Sequence, residues 1–356
     1  MKKTAISAFI AAGLLVAGAP GGALAQGWEP TFVDGVLQPL ADGFPDRPIT
    51  LINVDDAGTH SGLYVRAVQE ALRTISPVDI RISDEPRAAG GTLNTLAEVS
   101  VDRDGGKDGY FLVQGSLIGS STDFLGEPIT KETGLTIDDV NFFIATELVP
   151  WLVVQRADAP WGPGFRAFVD YAKAHPGEVK YISGGVGSGL DIFMTWVLDQ
   201  AGVEVNKIPA ADREAAIAAV AGGAGDVNAN NVPNTLAAGD RIDVILVSTP
   251  GVPEAFASEG AISADDYATF GLGDVLWGSH QGFLVSAEVP DEHVAWLHAL
   301  LEAGTETDIY QTRKQTQPGL VIKVLPTEEA NAAARKAVAA AEPIMRAAGL
   351  LWDQNQ

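Results

Sequence analysis

The feature that most constrains this chain is the alternation of strand-like apolar runs, polar glycine-bearing loops and helical segments, which occurs twice. Ile49–Val54 reads as a strand, residues 55–62 as a loop, and Leu63, Val65, Ala67, Val68, Ala71 and Leu72 as the apolar stripe of a helix. Strands over 78–82 and 110–114 follow, with a helix over 92–99 between them. After Trp151 the rhythm restarts. Strands are expected over 151–155, 179–183, 227–230 and 242–247, and helices over 165–175, 190–200 and 213–221. Strand, helix and strand again is the pattern of α/β units. Two such blocks imply an α/β protein of two lobes, each a mixed sheet flanked by helices. The expected division is residues 26–150 with 280–356 for one lobe and 151–279 for the other. The remainder reads as a loop-rich stretch, a strand over 282–285 and helices over 291–303, 307–316 and 327–348. The last helix is alanine-rich and is expected to lie on the outside of a lobe.

Residues 1–25 have the three parts of a secretory leader. Lys2 and Lys3 precede an apolar run to about Ala19, and Ala23-Leu24-Ala25 provides the small residues of a cleavage site. The run is shorter than the ~20 apolar residues that a membrane span requires. The mature chain is expected to begin at Gln26, in the periplasm. The sequence has no cysteine, which excludes disulfides and thiolate chemistry, and 46% hydrophobic residues provide for a core instead. The net charge of −23 opposes nucleic-acid binding. It says little about a pocket, because backbone amides can hold an anion inside an acidic protein.

Loops between a strand and a following helix place unpaired N–H groups where an anion is stabilised. Two loops qualify. Gly58, Thr59, His60 and Ser61 lie after the first strand, with Asp55 at the loop's start; Gly184–Gly189 lies between Ser183 and the next helix and includes Ser188. The second loop has no lysine after its glycines, so it is not a phosphate-binding P-loop. Ser116, past the third strand, and Asn228, Asn230 and Asn231 add neutral hydrogen-bonding groups. Asp55-Asp56 is poorly placed to share a metal, since consecutive residues in an extended path point to opposite sides. Asp102, Asp104 and Asp108 lack the spacing of a calcium loop. No metal or other cofactor is expected. An exported hydrolase using His60 or His280 with Ser61 is the catalytic alternative, but no G-x-S-x-G elbow supports it.

Six segments, in order, resemble the solute-binding proteins of tripartite tricarboxylate transporters, the TctC or Bug family. Phe44–Ile52 is similar to the family's Y-P-x-K-P-I-T-L-I strand, Arg87–Thr92 to its R-x-G-A-G-G-T turn, and Asp108–Leu112 to its D-G-Y-T-L segment. Tyr171–Gly177 resembles A-K-A-N-P-G, the Ser183–Gly189 loop the family's G-x-G-S-x loop, and Ala347–Leu350 the family's ending. The resemblance implies a type II periplasmic binding protein fold of the Venus-flytrap kind, no enzymatic activity and monomeric action. It also implies a small organic carboxylate held by loop amides and passed to membrane permease subunits. A sensor protein is the alternative partner. Carried onto this sequence, the ligand-binding positions are Gly58, Thr59, His60, Ser61, Ser183, Gly184 and Ser188, with the Asn228 region lining the cleft. The first loop departs from the family's P-F-x-x-G-G-x-x-D-x-x-A-R. Val54 and Asp55 replace the proline and phenylalanine, Thr59 the second glycine and Gly62 the aspartate, while Arg66 is kept. These departures, with Asp55 and Asp56 adding negative charge near the mouth and Trp151, Trp161 and Trp277 supplying large apolar surface, point to a monocarboxylate or aromatic acid.

Overall fold

The computed structural model describes residues 28–87, 91–125, 134–316 and 319–351. The leader and Ala88–Gly90 of the Arg87–Thr92 turn lie outside the described residues. A hairpin of β1 (Phe32–Val33) and β2 (Val36–Leu37) precedes β3 (Ile49–Asn53), α1 (His60–Leu72), β4 (Ile80–Asp84), α2 (Gly91–Asp102), β5 (Phe111–Ser116), α3 (Leu117–Thr122) and β6 (Val140–Val149). Next come β7 (Leu152–Arg156), α4 (Phe165–Ala174), β8 (Lys180–Ser183), α5 (Gly189–Ala201), β9 (Asn206–Pro209), α6 (Arg213–Ala221), β10 (Val227–Asn230), α7 (Val232–Ala238) and β11 (Ile242–Val247). After residues 248–278 come β12 (Ser279–Ser286), α8 (Asp291–Thr305), the short α9 (Asp308–Gln311) and α10 (Arg313–Thr316), β13 (Val321–Leu325) and α11 (Thr327–Ala347).

Two mixed sheets result. One has the order β13-β6-β12-β5-β3-β4, the other β11-β7-β10-β8-β9. In the first, β3 runs parallel to β4 and β5, while β12 is antiparallel to β5 and β6. In the second, β8 is parallel to β9 and β10, while β7 is antiparallel to β10 and β11. Among the parallel strands β3 and the first half of β5 are near-continuous apolar runs, as strands covered on both faces are, whereas β4, β8, β9 and β10 carry polar residues among their apolar ones. β6 escaped the sequence reading because Thr146 and Glu147 interrupt its apolar run; both are buried.

The helices follow their apolar periodicity. In α4, Phe165, Phe168, Val169 and Ala172 form the buried stripe. α5 is apolar nearly all round and correspondingly buried. Its ends carry ordinary stop signals: the Ser188 side chain caps the start, and Gly202 adopts the left-handed conformation at the end. The expected helix over 307–316 is two short helices. α11 packs through one face, with the rest of its surface intermediate or exposed. Its buried alanines 330, 334, 337 and 341 pack it on α3 and β6, and it also touches α5 of the second block. Asn331 fixes it to the first sheet, accepting from Phe142 N at 3.0 Å and donating to Asn141 Oδ1 at 2.9 Å.

A buried polar layer underlies α1. Glu147 is fully buried and pairs with Arg313 through two nitrogens, one at 2.9 Å. Arg313 also donates to Leu63 O at 3.3 Å, and His60 Nε2 lies 3.7 Å from Glu147 Oε2. Tyr64, Thr146 and Tyr310 form a hydroxyl chain beside the pair, at 2.9 and 2.8 Å. Removing one partner of such a pair strands a buried charge. Arg313→Ala is expected to lower unfolding free energy by about 3–5 kcal/mol. Replacing both residues, as Glu147→Leu with Arg313→Met, is expected to recover part of that loss. Urea denaturation of the three variants checks both statements.

His280 in β12 is buried with neither ring nitrogen hydrogen-bonded. Burial, with Lys323 adding repulsion, pushes its pKa down to about 4. The unfolded chain takes up this proton near pH 6.5, whereas the folded chain resists it until about pH 4. Stability present above pH 6.5 is therefore lost as pH falls through that window, by up to about 3 kcal/mol. His280→Phe is expected to flatten the acid side of the stability profile, measured as thermal midpoint between pH 8 and pH 4.

Candidate functional site

A cavity of about 370 Å³ opens between the two sheets. From the first block it is lined by Gly119, Thr122 and Asp123, which belong to α3 and the turn after it. From the second it is lined by Trp151, residues 187–190, Ile192, Arg213 and Asn231. Ser279 at the start of β12 and Met345 near the end of α11 complete the wall. The size falls within the usual range of small-molecule sites, about 300–1,000 Å³.

The floor on the second side is built by one buried carboxylate. Asp191 Oδ1 accepts from Tyr181 Oη at 2.9 Å and Ser183 Oγ at 2.8 Å. Its Oδ2 accepts from Gly187 N at 2.9 Å and Lys207 Nζ at 2.7 Å. Part of the glycine loop's donor capacity is thus spent internally. Ser188 Oγ caps Asp191 N at 3.4 Å; Gly189 and Leu190, in the first turn of α5 where N–H groups have no intrahelical partner, line the cavity. Gly184 lies against the start of α6, where a Cβ would come within 2.7 Å of Arg213 Cα. Gly187 has φ +80°, and an added Cβ would run into Leu350 beyond α11. That close approach joins the chain's C-terminal segment to the loop.

The asparagines hold the same corner. Asn228 donates to Ile182 O at 2.7 Å and accepts from Asn230 Nδ2 at 2.8 Å. Asn230 also donates to Arg213 O at 2.9 Å. Asn228 is fully buried in this network, and Asn231 is the asparagine that lines the cavity. Ser183 is likewise buried.

The first loop lies at the carboxyl end of β3, beside β5 and its continuation into α3. None of Asp55, Gly58, Thr59, His60 and Ser61 belongs to the cavity wall. Thr59 Oγ1 accepts from Gly62 N at 3.2 Å and donates to Asp56 O at 2.7 Å, capping α1. Asp55 N donates to Asn53 Oδ1 at 3.3 Å. Ser116 precedes α3 without capping it, while Gly119 and Thr122 of that helix reach the wall. At Gly62, where the family pattern has aspartate, a Cβ would stand within 2.5 Å of a backbone oxygen, that of Asp56. An aspartate there requires the loop to move.

Two of the three tryptophans expected to supply apolar surface do not line the cavity. Trp277 is fully buried and packs on Trp151, Phe193 and Trp196. Trp161 packs on Phe168 and Tyr171 and donates to Gln155 Oε1 at 2.7 Å. Only Trp151 lines the cavity among these three. Sequence reading missed Arg213, Asp123, Thr122, Ser279 and Met345. Arg213 begins α6 after β9, a strand that went unread, so the signal for it was weak. Asp102, Asp104 and Asp108 hold no metal cluster; among the described residues no group of three His, Asp or Glu could do so. The Arg47–Asp104 ion pair at 3.1 Å occupies that turn instead. Among the described residues, no helix is long and apolar enough to cross a membrane.

Comparisons with known proteins agree with this architecture. A TctC solute-binding protein from Polaromonas superposes with a TM-score of 0.71 at 22% identity, covering 85% of this chain and 99% of the other. A malate-bound MatC protein of Rhodopseudomonas palustris gives 0.55 at 18% identity over 85% and 99% of the two chains. An adipate-bound protein of that organism gives 0.57 at 18% over 86% and 99%. A UPF0065 protein of Cupriavidus necator is 27% identical over 186 residues, which are 52% of this chain and 54% of that protein. The chain thus spans about half the length of the curated relatives it matches. The sequence pattern of the tripartite tricarboxylate transporter family receptors matches residues 64–243, half of the chain. With the two mixed sheets and the cavity between them, that match makes this chain a member of the tripartite tricarboxylate transporter receptor family, the TctC solute-binding proteins.

Proposed function

We propose that this protein is exported through its leader to the periplasm, captures a small organic carboxylate between its two lobes and passes it to a tripartite tricarboxylate-type permease. The observation that carries the reading is the cavity between the sheets, where the first turn of α5 and Arg213 meet. Helix N-terminal amides stabilise a carboxylate, and a guanidinium can bind it through two parallel hydrogen bonds. Bound malate and adipate in the two Rhodopseudomonas neighbours support the ligand class. In this reading residues 26–150 with 280–356 move against 151–279. Closure brings the first loop, with Gly58, Thr59, His60 and Ser61, over the ligand from the side of α3. The protein acts as a monomer without cofactor or catalysis. His280 is buried in β12, which weighs against its serving as the base in the hydrolase alternative.

A thermal-shift screen of carboxylic acids on residues 26–356 tests the reading. At least one acid is expected to raise the midpoint in a concentration-dependent way; no shift with any acid would sink it. Arg213→Ala is expected to weaken the best acid by ~1–3 kcal/mol with the unliganded midpoint unchanged. Ser188→Ala is expected to lower the midpoint as well, because it removes a helix cap worth about 1 kcal/mol. Ser61→Ala is expected to weaken binding while leaving the midpoint alone. Calorimetric titration of all three separates contact from cap.

A further inference from the structure

The cavity wall carries two ionisable groups of opposite sign that no described residue neutralises. Asp123, directly after α3, lines the first side; Arg213, the first residue of α6, lines the second. Among the described residues, neither side chain forms a hydrogen bond or an ion pair, with the other or with anything else. Burial alone pushes the Asp123 carboxyl up to about 7; no hydrogen bond or charge offsets it. Elsewhere the fold does pair its buried acids. Asp191 has four donors and Glu147 has Arg313. An acid on a cavity wall that no described residue pairs is the arrangement a ligand's own cation completes.

Resting on the carboxylate reading above, we infer that Asp123 is a specificity-determining residue that receives an ammonium group of the ligand while Arg213 and the first turn of α5 receive its carboxylate. The ligand class is then a zwitterionic amino-carboxylate. A second carboxylate placed beside Asp123 meets a like charge, so simple dicarboxylates are disfavoured. This separates the chain from its malate- and adipate-bound structural neighbours, which share the fold at 18% identity.

The test is calorimetric titration with matched pairs on the wild-type chain: 6-aminohexanoate against adipate, and L-leucine against 4-methylpentanoate. The first pair exchanges a carboxylate for an ammonium, and the second deletes an ammonium. The aminated member is expected to bind at least tenfold more tightly in one pair or both. Asp123→Asn, an isosteric change, is expected to abolish that preference, whereas Arg213→Ala weakens both members together. Equal or tighter binding of adipate and 4-methylpentanoate to the wild type overturns the inference and leaves the carboxylate reading standing. A preference that survives in Asp123→Asn overturns the role of Asp123. If no member of either pair binds but other acids in the thermal-shift screen do, the amino-carboxylate class is wrong; if no acid binds at all, the carboxylate reading falls with it.

Discussion

The rest of the structure depends on the place where the chain passes between its sheets. Trp151 and Ser248 clamp the two passages together: Trp151 N donates to Ser248 Oγ at 2.8 Å, and Ser248 N donates to Trp151 O at 3.0 Å. Trp277, on the return path, stacks on Trp151 with centroids 6.2 Å apart and packs at a tilt against Trp196 at 5.6 Å. Large rings buried together in this way contribute much of an apolar core's energy and fix relative orientation through their shape. The same Trp151 that closes the clamp faces the cavity. The side chain that ties the two passages together is thus also part of the cavity wall.

Charge placement divides the molecule into what serves the fold and what is left for a ligand. Asp191 is satisfied by two hydroxyls, a loop amide and Lys207, and in return it shapes the glycine loop. Glu147 and Arg313 satisfy each other under α1, and a tyrosine–threonine chain closes their surroundings. These carboxylates are costly to bury and are kept because they hold particular loops in place. Asp123 and Arg213 have no such partners among the described residues. The protein's overall negative charge says nothing about this division, since a pocket's chemistry is set within a few ångströms while the net charge is spread over the surface.

Much of the fold was legible because each element carries a local signal. The strands over 227–230 and 242–247 and the helix over 213–221 coincide with β10, β11 and α6, since their apolar residues and glycine stops are contiguous in sequence. The hairpin, β6, β9, β13 and α7 were not read. They are short or interrupted by polar residues, and their strand character comes from a neighbouring strand. The site was legible in part. The loop around Ser188 was found from its glycines and does reach the cavity. Asp123 and Arg213 were passed over, because an acid after a serine-rich helix and an arginine at a helix start have no signature of their own.

By itself the sequence determined the α/β class, the two blocks, the capped helices and the glycine-bearing loops, because those follow from apolar periodicity and from backbone demands that a few residues meet alone. Only the tertiary structure decided which of those loops share a space. Gly62 shows the difference: in sequence it is a departure from the family's aspartate, while in space it is a close contact with the backbone of Asp56. Ser183 and Asn228 show it too, as candidates for a ligand that packing turns inward to hold Asp191 and β8. Contacts between residues far apart in the chain depend on how two sheets cross, and no local pattern encodes that crossing.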